Sequence, residues 1–321
     1  MIVRPRPPAW QLFVIMRGSV VPRIAPQILL AAAFGALVAY GHRHFAEDFP
    51  ALTIVPFTLI GLAFAIFLGF RNTASYDRYW EGRRLWGQLV IDTRSLSRQL
   101  LTLMGPEAEL GQASDPAEKD QAEVRVMAHA MVRKIIAFTH ALRHHLRGTK
   151  PDSDVTAFLG AEVAAQLMRR SNLPDAILGS LSADLRVCRD QRWLSDPMLR
   201  ATDERLTSLA TVLAACERIR NTPLPFAYTL LLHRTAYLYC FLLPFGLVDT
   251  IGAMTPLVVA IVSYTFFGLD ALGDEIEEPF GDLPNDLPLD AMSRTIEINL
   301  REAMGETDLP PPLVPVDYCL M

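Results

Sequence analysis

Two long apolar segments without a charge lie near the start of the chain. Residues 24–41 and 51–70 have 18 and 20 residues, and the nine residues between them are mostly polar. At about 1.5 Å per residue, a helix of about 20 residues spans the ~30 Å hydrocarbon core of a bilayer. The pattern predicts two transmembrane helices that form a hairpin over residues 24–70.

A second apolar pair lies late in the chain, at residues 226–248 and 252–269. His233 and Arg234 interrupt its first segment, and ionisable residues inside a membrane need a partner or an interface. Asp270 and Asp274 follow the second segment, and we expect them to form a structural ion pair with Arg234 if the hairpin is antiparallel. The pair predicts a second transmembrane hairpin over residues 226–272.

The long segment between the hairpins has the period of amphipathic helices, and no alternating pattern long enough to indicate a sheet. Residues 71–104 contain no proline, so the second transmembrane helix is predicted to continue well beyond the membrane. The predicted fold is all-α, with four transmembrane helices and a cytoplasmic helical domain at residues 71–225. Pro310, Pro311 and Pro312 predict an extended tail.

Composition and charge support a membrane protein and set its expected orientation. Of 321 residues, 51% are hydrophobic and 20% charged, which excludes intrinsic disorder. Four arginines precede the first apolar segment, and the two short loops contain only Arg43. Because Lys and Arg concentrate on the cytoplasmic side, residues 1–23, the middle block and residues 273–321 are predicted to be cytoplasmic. Residues 273–321 are acidic. The first apolar segment, residues 24–41, is interpreted as a retained membrane anchor.

The usual enzyme motifs are missing from the sequence. It has no GxGxxG, GxxxxGK, HExxH or GxSxG pattern, and its four cysteines are scattered singly. No catalytic residue, cofactor or nucleic-acid partner is predicted. His140 and His144 have the i,i+4 spacing that lets two imidazoles share a metal, but a solvated basic face beside Arg143 is the favoured interpretation.

Leu62, Ile66 and Phe70 recur every fourth residue near the end of the second apolar segment. In a single subunit they would form an ordinary packing stripe. Repeated around a symmetric ring, large apolar residues would form a hydrophobic constriction that gates by dewetting. Small residues on the flanking faces allow close helix packing; they are Gly61, Ala63, Ala65 and Gly69.

Three separated segments resemble the bestrophin family in its bacterial branch. They read RNTASYDRYWEGRRLWGQLV at 71–90, ERIRNTPLPFAYTLLLHR at 217–234 and FFGLDALGDEIEEPFGDLPNDLPLD at 266–290. The resemblance implies a homopentameric ion channel around a central pore in the bacterial inner membrane. It also implies that Leu62, Ile66 and Phe70 form the pore neck and that Leu206 forms a lower cytosolic aperture.

The resemblance leaves ion selectivity and calcium binding open. The family label is chloride channel, but cation conduction is expected for some bacterial members, and the acidic C-terminal segment weakly favours cations. Asp282, Asp286 and Asp290 follow the Pro-Phe-Gly at 279–281, where eukaryotic members bind calcium. Ca²⁺ needs six to eight oxygens gathered in one place, and prolines separate these three carboxylates, so they are weak calcium candidates. The alternative is an acidic surface that pairs with the basic middle block of a neighbouring subunit.

A different class of function also fits the sequence. A membrane-anchored helical scaffold or signalling protein that binds an unknown soluble partner would explain the large cytoplasmic block without a pore. A secondary transporter is disfavoured, because the sequence shows no inverted repeat of broken helices. The expected function is passive conduction of small monovalent ions through a homopentamer in the lipid bilayer.

Overall fold

The computed structural model describes residues 1–5, 7–45, 52–105 and 118–321, and in this part of the chain it contains ten α-helices and no strand. Residues 46–51, which include part of the predicted first loop, lie outside the described residues. The helices are α1 (Val21–His44), α2 (Ile54–Leu103), α3 (Glu118–Arg147), α4 (Asp152–Leu159), α5 (Ala161–Leu167), α6 (Leu173–Asp190), α7 (Asp196–Asn221), α8 (Phe226–Ile251), α9 (Thr255–Glu277) and α10 (Leu289–Ala303).

In the described part of the chain, three stretches are long and apolar enough to cross a membrane: Val21–His44, Ile54–Leu103 and Phe226–Glu277. The last contains α8 and α9, which pack against each other and are joined by the short 3-10 turn Gly252–Met254. All four apolar segments of the sequence are therefore helical. The helix boundaries differ from the predicted ones by up to three residues, except that α9 runs eight residues beyond its apolar segment and α2 continues far beyond residue 70.

The membrane helices form a bundle in which α1 packs along α9 and α8, and the first half of α2 packs against α8 and α9. One apolar cluster includes Phe64, Leu232 and Phe267. A second includes Phe57, where α8 approaches α2 so closely that a Cβ on Gly246 would clash with the Phe57 ring. Glycine at this position allows the two helices to pack.

Helix α2 joins the bundle of apolar helices to the second group of helices, which is the domain predicted to be cytoplasmic. It runs for 50 residues without a break, which corresponds to about 75 Å. Its second half buries Trp86, Leu89, Leu96 and Leu100 in the core of the cytoplasmic domain. The predicted continuation of the helix beyond residue 70 is confirmed as far as Leu103.

In the domain predicted to be cytoplasmic, α3, α7 and α10 pack against α2, and α6 packs against α3 and α7. Its centre is α3, whose Ile135, Ile136 and Phe138 are fully buried. The last residues of the chain contain no helix, as predicted, and lie along the N-terminal segment. There the Val3 N–H donates to the Tyr318 carbonyl at 2.8 Å, and Arg17 pairs with Asp317 at 2.9 Å.

Candidate pore face and the ion pairs below it

One face of α2 exposes large apolar side chains that none of the other described residues covers. Leu62, Ile66 and Phe70 are 61%, 50% and 64% exposed, whereas Phe64 and Leu68 on the opposite face are buried in the membrane bundle. The i,i+4 spacing places the three exposed side chains in one row. An apolar row of this kind requires lipid or another protein copy against it.

A buried cation lies directly after this row. Arg71 is fully buried, and its Nη1 donates to Asp270 Oδ1 at 2.8 Å and to the Asp270 carbonyl at 3.2 Å. Its Nη2 pairs with Asp274 and lies 3.6 Å from Glu277 Oε2. On the other side, His233 Nδ1 shares a hydrogen bond of 2.8 Å with Asp270 Oδ2. The three carboxylates lie at positions i, i+4 and i+7 of α9, so they share the face turned toward α2.

Further contacts extend this network to neighbouring helices. Arg23 of α1 reaches Asp274 at 3.4 Å. Arg78 of α2 donates to the Glu277 carbonyl at 3.0 Å and to the Ile219 carbonyl at 2.6 Å, at the end of α7. Buried charges are retained in proteins only when they are paired and hydrogen-bonded. The network therefore fixes α2 against α9 one residue below Phe70.

The structure corrects the predicted ion pair. Asp270 and Asp274 are paired as expected, but their cation is Arg71, and Arg234 is exposed and makes no ion pair within the described ranges. His233 and Arg234 are adjacent in sequence, so their side chains diverge by about 100° around α8, and only His233 turns toward Asp270. Arg71 is the first residue of a segment rich in charged residues. Its neighbours in the sequence therefore gave no sign that its side chain is buried.

Leu206 does not occupy the position expected of a pore aperture. Its side chain is 5% exposed and belongs to the core of the cytoplasmic domain with Leu209 and Leu213. The exposed positions of this part of α7 include Asp203, Glu204 and Thr207, one to three residues away. A shift of one residue in alignment rotates a helical position by about 100°, which is enough to exchange a core face for an open face.

The three acidic calcium candidates do not converge. Asp290 pairs with Arg143 at 3.1 Å and Arg147 at 2.7 Å, and Asp282 is exposed. Asp286 is buried and accepts the Leu283 N–H at 2.7 Å. Burial raises the pKa of Asp286 to about 6, although this hydrogen bond lowers it. Among the described residues no three potential ligand side chains gather in a metal site.

His140 and His144 of α3 contact separate carboxylates. His140 is buried and contacts Glu297 at 3.1 Å, whereas the neighbouring His144 contacts Asp154 at 3.1 Å. The two imidazoles therefore do not share a partner. The interpretation of a solvated face is wrong for His140, because α10 covers this part of α3.

Comparison with known proteins supports the family and the channel class. The sequence model of the bacterial and fungal bestrophin proteins matches residues 1–302. A Mesorhizobium japonicum protein is 45% identical over 317 residues, which are 99% of this chain and 96% of that relative. An Escherichia coli K12 protein is 40% identical over 316 residues, which are 98% of both chains. Both relatives are named voltage-dependent anion channel-forming proteins, and not enzymes.

The fold agrees with a solved structure of the same family. A crystal structure of a bacterial bestrophin homologue from Klebsiella pneumoniae superposes with a TM-score of 0.80 at 39% identity. The alignment covers 90% of this chain and all of that one. The fold, the four apolar helices and the matched relatives agree over nearly the whole sequence, and the chain belongs to the bacterial and fungal bestrophin family.

Proposed function

We propose that the protein is a homopentameric channel that conducts small monovalent anions across the bacterial inner membrane. The observation that carries the proposal is the exposed row of Leu62, Ile66 and Phe70 on α2. Five copies of α2 around an axis would cover these side chains and line a narrow apolar neck. The choice of anions is supported by the printed names of the relatives.

The apolar neck controls conduction through hydration. An ion passes a hydrophobic constriction only when the constriction is wet, and the free energy of wetting rises as the pore narrows and its wall becomes more apolar. The Arg71 network holds α2 against α9 immediately below the neck. The width of the neck therefore depends on how α2 is fixed at this level.

The expected orientation places both termini in the cytoplasm. Arg4, Arg6, Arg17 and Arg23 precede or begin α1, and residues 71–228 contain 22 Lys and Arg. Positive residues near membrane helices remain on the cytoplasmic side. With four crossings, the apolar parts of α2 and α9 both reach the cytoplasmic surface, where the Arg71 network joins the two helices.

The test is conduction by purified protein in planar bilayers. Ile66→Ala and Phe70→Ala make the neck wider and less apolar, and we expect both to raise single-channel conductance severalfold. The matched control is Ile60→Ala, the same change on an exposed residue of α2 that is turned by about 120° from Ile66. It is expected to leave conductance unchanged.

Two results would contradict the proposal. If Ile66→Ala and Phe70→Ala conducted as the wild type does, these side chains would not form the neck. If neither the wild type nor the variants conducted, the channel itself would be refuted. The membrane-anchored scaffold would then be the better explanation of the large helical domain.

A further inference from the structure

The exposed row on α2 continues below the neck as charged residues. From Phe70 to Asp77 is seven residues, which rotates the helix to within about 20° of two full turns and descends about 10.5 Å. Helix α2 is unbroken over this interval, and both side chains are exposed. Asp77 therefore lies under Phe70 on the same face of the helix.

The carboxylate of Asp77 is not neutralised by its neighbours. Arg71 is buried and paired with α9, and Arg78 points the other way to the carbonyls of Glu277 and Ile219. No hydrogen bond or ion pair of the Asp77 side chain occurs among the residues that the structure describes. An exposed unpaired aspartate is ordinary by itself, and its alignment with the neck row is what distinguishes this one.

Glu81 also lies within about 20° of Phe70 around the helix, but its carboxylate is paired with Arg218 at 2.6 Å. Among the described residues, the next charge near this face without an ion pair is Arg84, seven residues and about 10.5 Å beyond Asp77. At physiological ionic strength the Debye length is about 8 Å. Along the helix, Phe70 is therefore little more than one Debye length from Asp77 and more than two Debye lengths from Arg84. Salt screens the field of Asp77 at Phe70 less than the field of Arg84. Asp77 therefore makes the potential at the cytoplasmic end of the neck more negative than it would be without this carboxylate.

We propose that Asp77 is a charge-selectivity residue of the channel. This inference rests on the pentameric pore proposed above. In that pore, five copies of the Asp77 carboxylate form a ring below the neck, and this ring attracts cations and reduces the preference for anions. Without this ring, the arginine ring at position 84 is the first unpaired charge that an ion meets below the neck, because Glu81 is paired with Arg218. The ratio of chloride to potassium permeability then rises.

The experiment is the reversal potential of the purified channel in planar bilayers under a KCl gradient. For Asp77→Asn we expect a shift toward the chloride equilibrium potential, equivalent to an increase of about two- to tenfold in the permeability ratio. Asp77→Glu keeps the charge and is expected to behave as the wild type. The control Glu162→Gln removes an exposed carboxylate on α5 and is expected to cause no shift.

Ionic strength supplies a second readout. The Debye length grows from about 10 Å at 0.1 M to about 30 Å at 0.01 M salt. The difference between Asp77→Asn and the wild type should therefore increase when both solutions are diluted at a constant concentration ratio. Asp77→Ser repeats the test with a smaller side chain if the Asn variant assembles poorly.

Failure of this inference differs from failure of the channel. If Asp77→Asn and the wild type had the same reversal potential at both salt concentrations while Phe70→Ala raised conductance, the pore would stand and the role of Asp77 would be refuted. Absence of current in every protein would overturn the channel and, with it, the role of Asp77.

Discussion

The buried Arg71 network allows the most direct test of the structure. Replacing Arg71 by Met removes the cation between Asp270, Asp274 and Glu277 but keeps a similar volume. Arg71 is fully buried and Asp270 is 6% exposed, so the loss leaves at least one uncompensated buried charge. Breaking a buried ion pair in this way typically costs about 3–5 kcal/mol.

This cost converts to a measurable shift in melting temperature. At about 2.1 cal/mol/K per residue, unfolding 321 residues has an entropy of about 0.7 kcal/mol/K. A loss of about 3–5 kcal/mol then lowers Tm by about 4–7 °C. The assay heats detergent-solubilised protein and measures the surviving oligomer by size-exclusion chromatography. Arg71→Lys keeps the charge and should retain part of the stability.

Arg234→Ala is the matched control, because the sequence alone favoured Arg234 as the cation. Its side chain is exposed, and surface substitutions usually change stability by less than about 0.5 kcal/mol. We expect a Tm within about 1 °C of the wild type. Equal Tm values for Arg71→Met and Arg234→Ala would refute the network as a stabilising element, and a larger loss for Arg234→Ala would favour the original pairing.

Two further predictions concern the cytoplasmic domain. Leu206→Ala creates a cavity in the core, so it should destabilise the protein by about 2–5 kcal/mol. Single-channel conductance should stay unchanged. A changed conductance at normal stability would instead support Leu206 as the cytosolic aperture. Asp286 has a pKa of about 6 in the folded protein against 3.8 as its ordinary value, so the folded state binds the proton more tightly. Stability should fall as pH rises from about 4 to 6 and remain level above this window. The measurement is Tm as a function of pH. Asp286→Asn should remove the fall in Tm between about pH 4 and 6, whereas the control Asp282→Asn, at an exposed residue, should keep it. If Tm depended on pH in Asp286→Asn as it does in the wild type, Asp286 would not be the origin of the fall.

Hydropathy and the distribution of proline along the sequence predicted most of the fold. Four apolar segments predicted four helices because each must satisfy its backbone hydrogen bonds internally in lipid. The missing prolines in residues 71–104 predicted that α2 would continue into the cytoplasm. The spacing of Leu62, Ile66 and Phe70 placed them in one row, and the structure adds that this row is exposed, whereas its place in a pore stays a prediction.

The pairing of charges depended on helix rotation and could not be predicted from local sequence. Arg71 and Arg234 are both arginines beside an apolar segment, and either could have reached Asp270. The packing of α2 on α9 turned Arg71 inward, while the rotation of α8 turned Arg234 outward. The same reason explains the buried position of Leu206.

The sequence by itself determined which segments are helical and apolar, since these properties follow from local composition and backbone hydrogen bonding. Only the tertiary structure decided which side chains meet, because a helix turns by about 100° per residue and its rotation is set by the whole of its packing. For this protein, that rotation buries Arg71 between three carboxylates and leaves Phe70 and Asp77 on the same open face of α2.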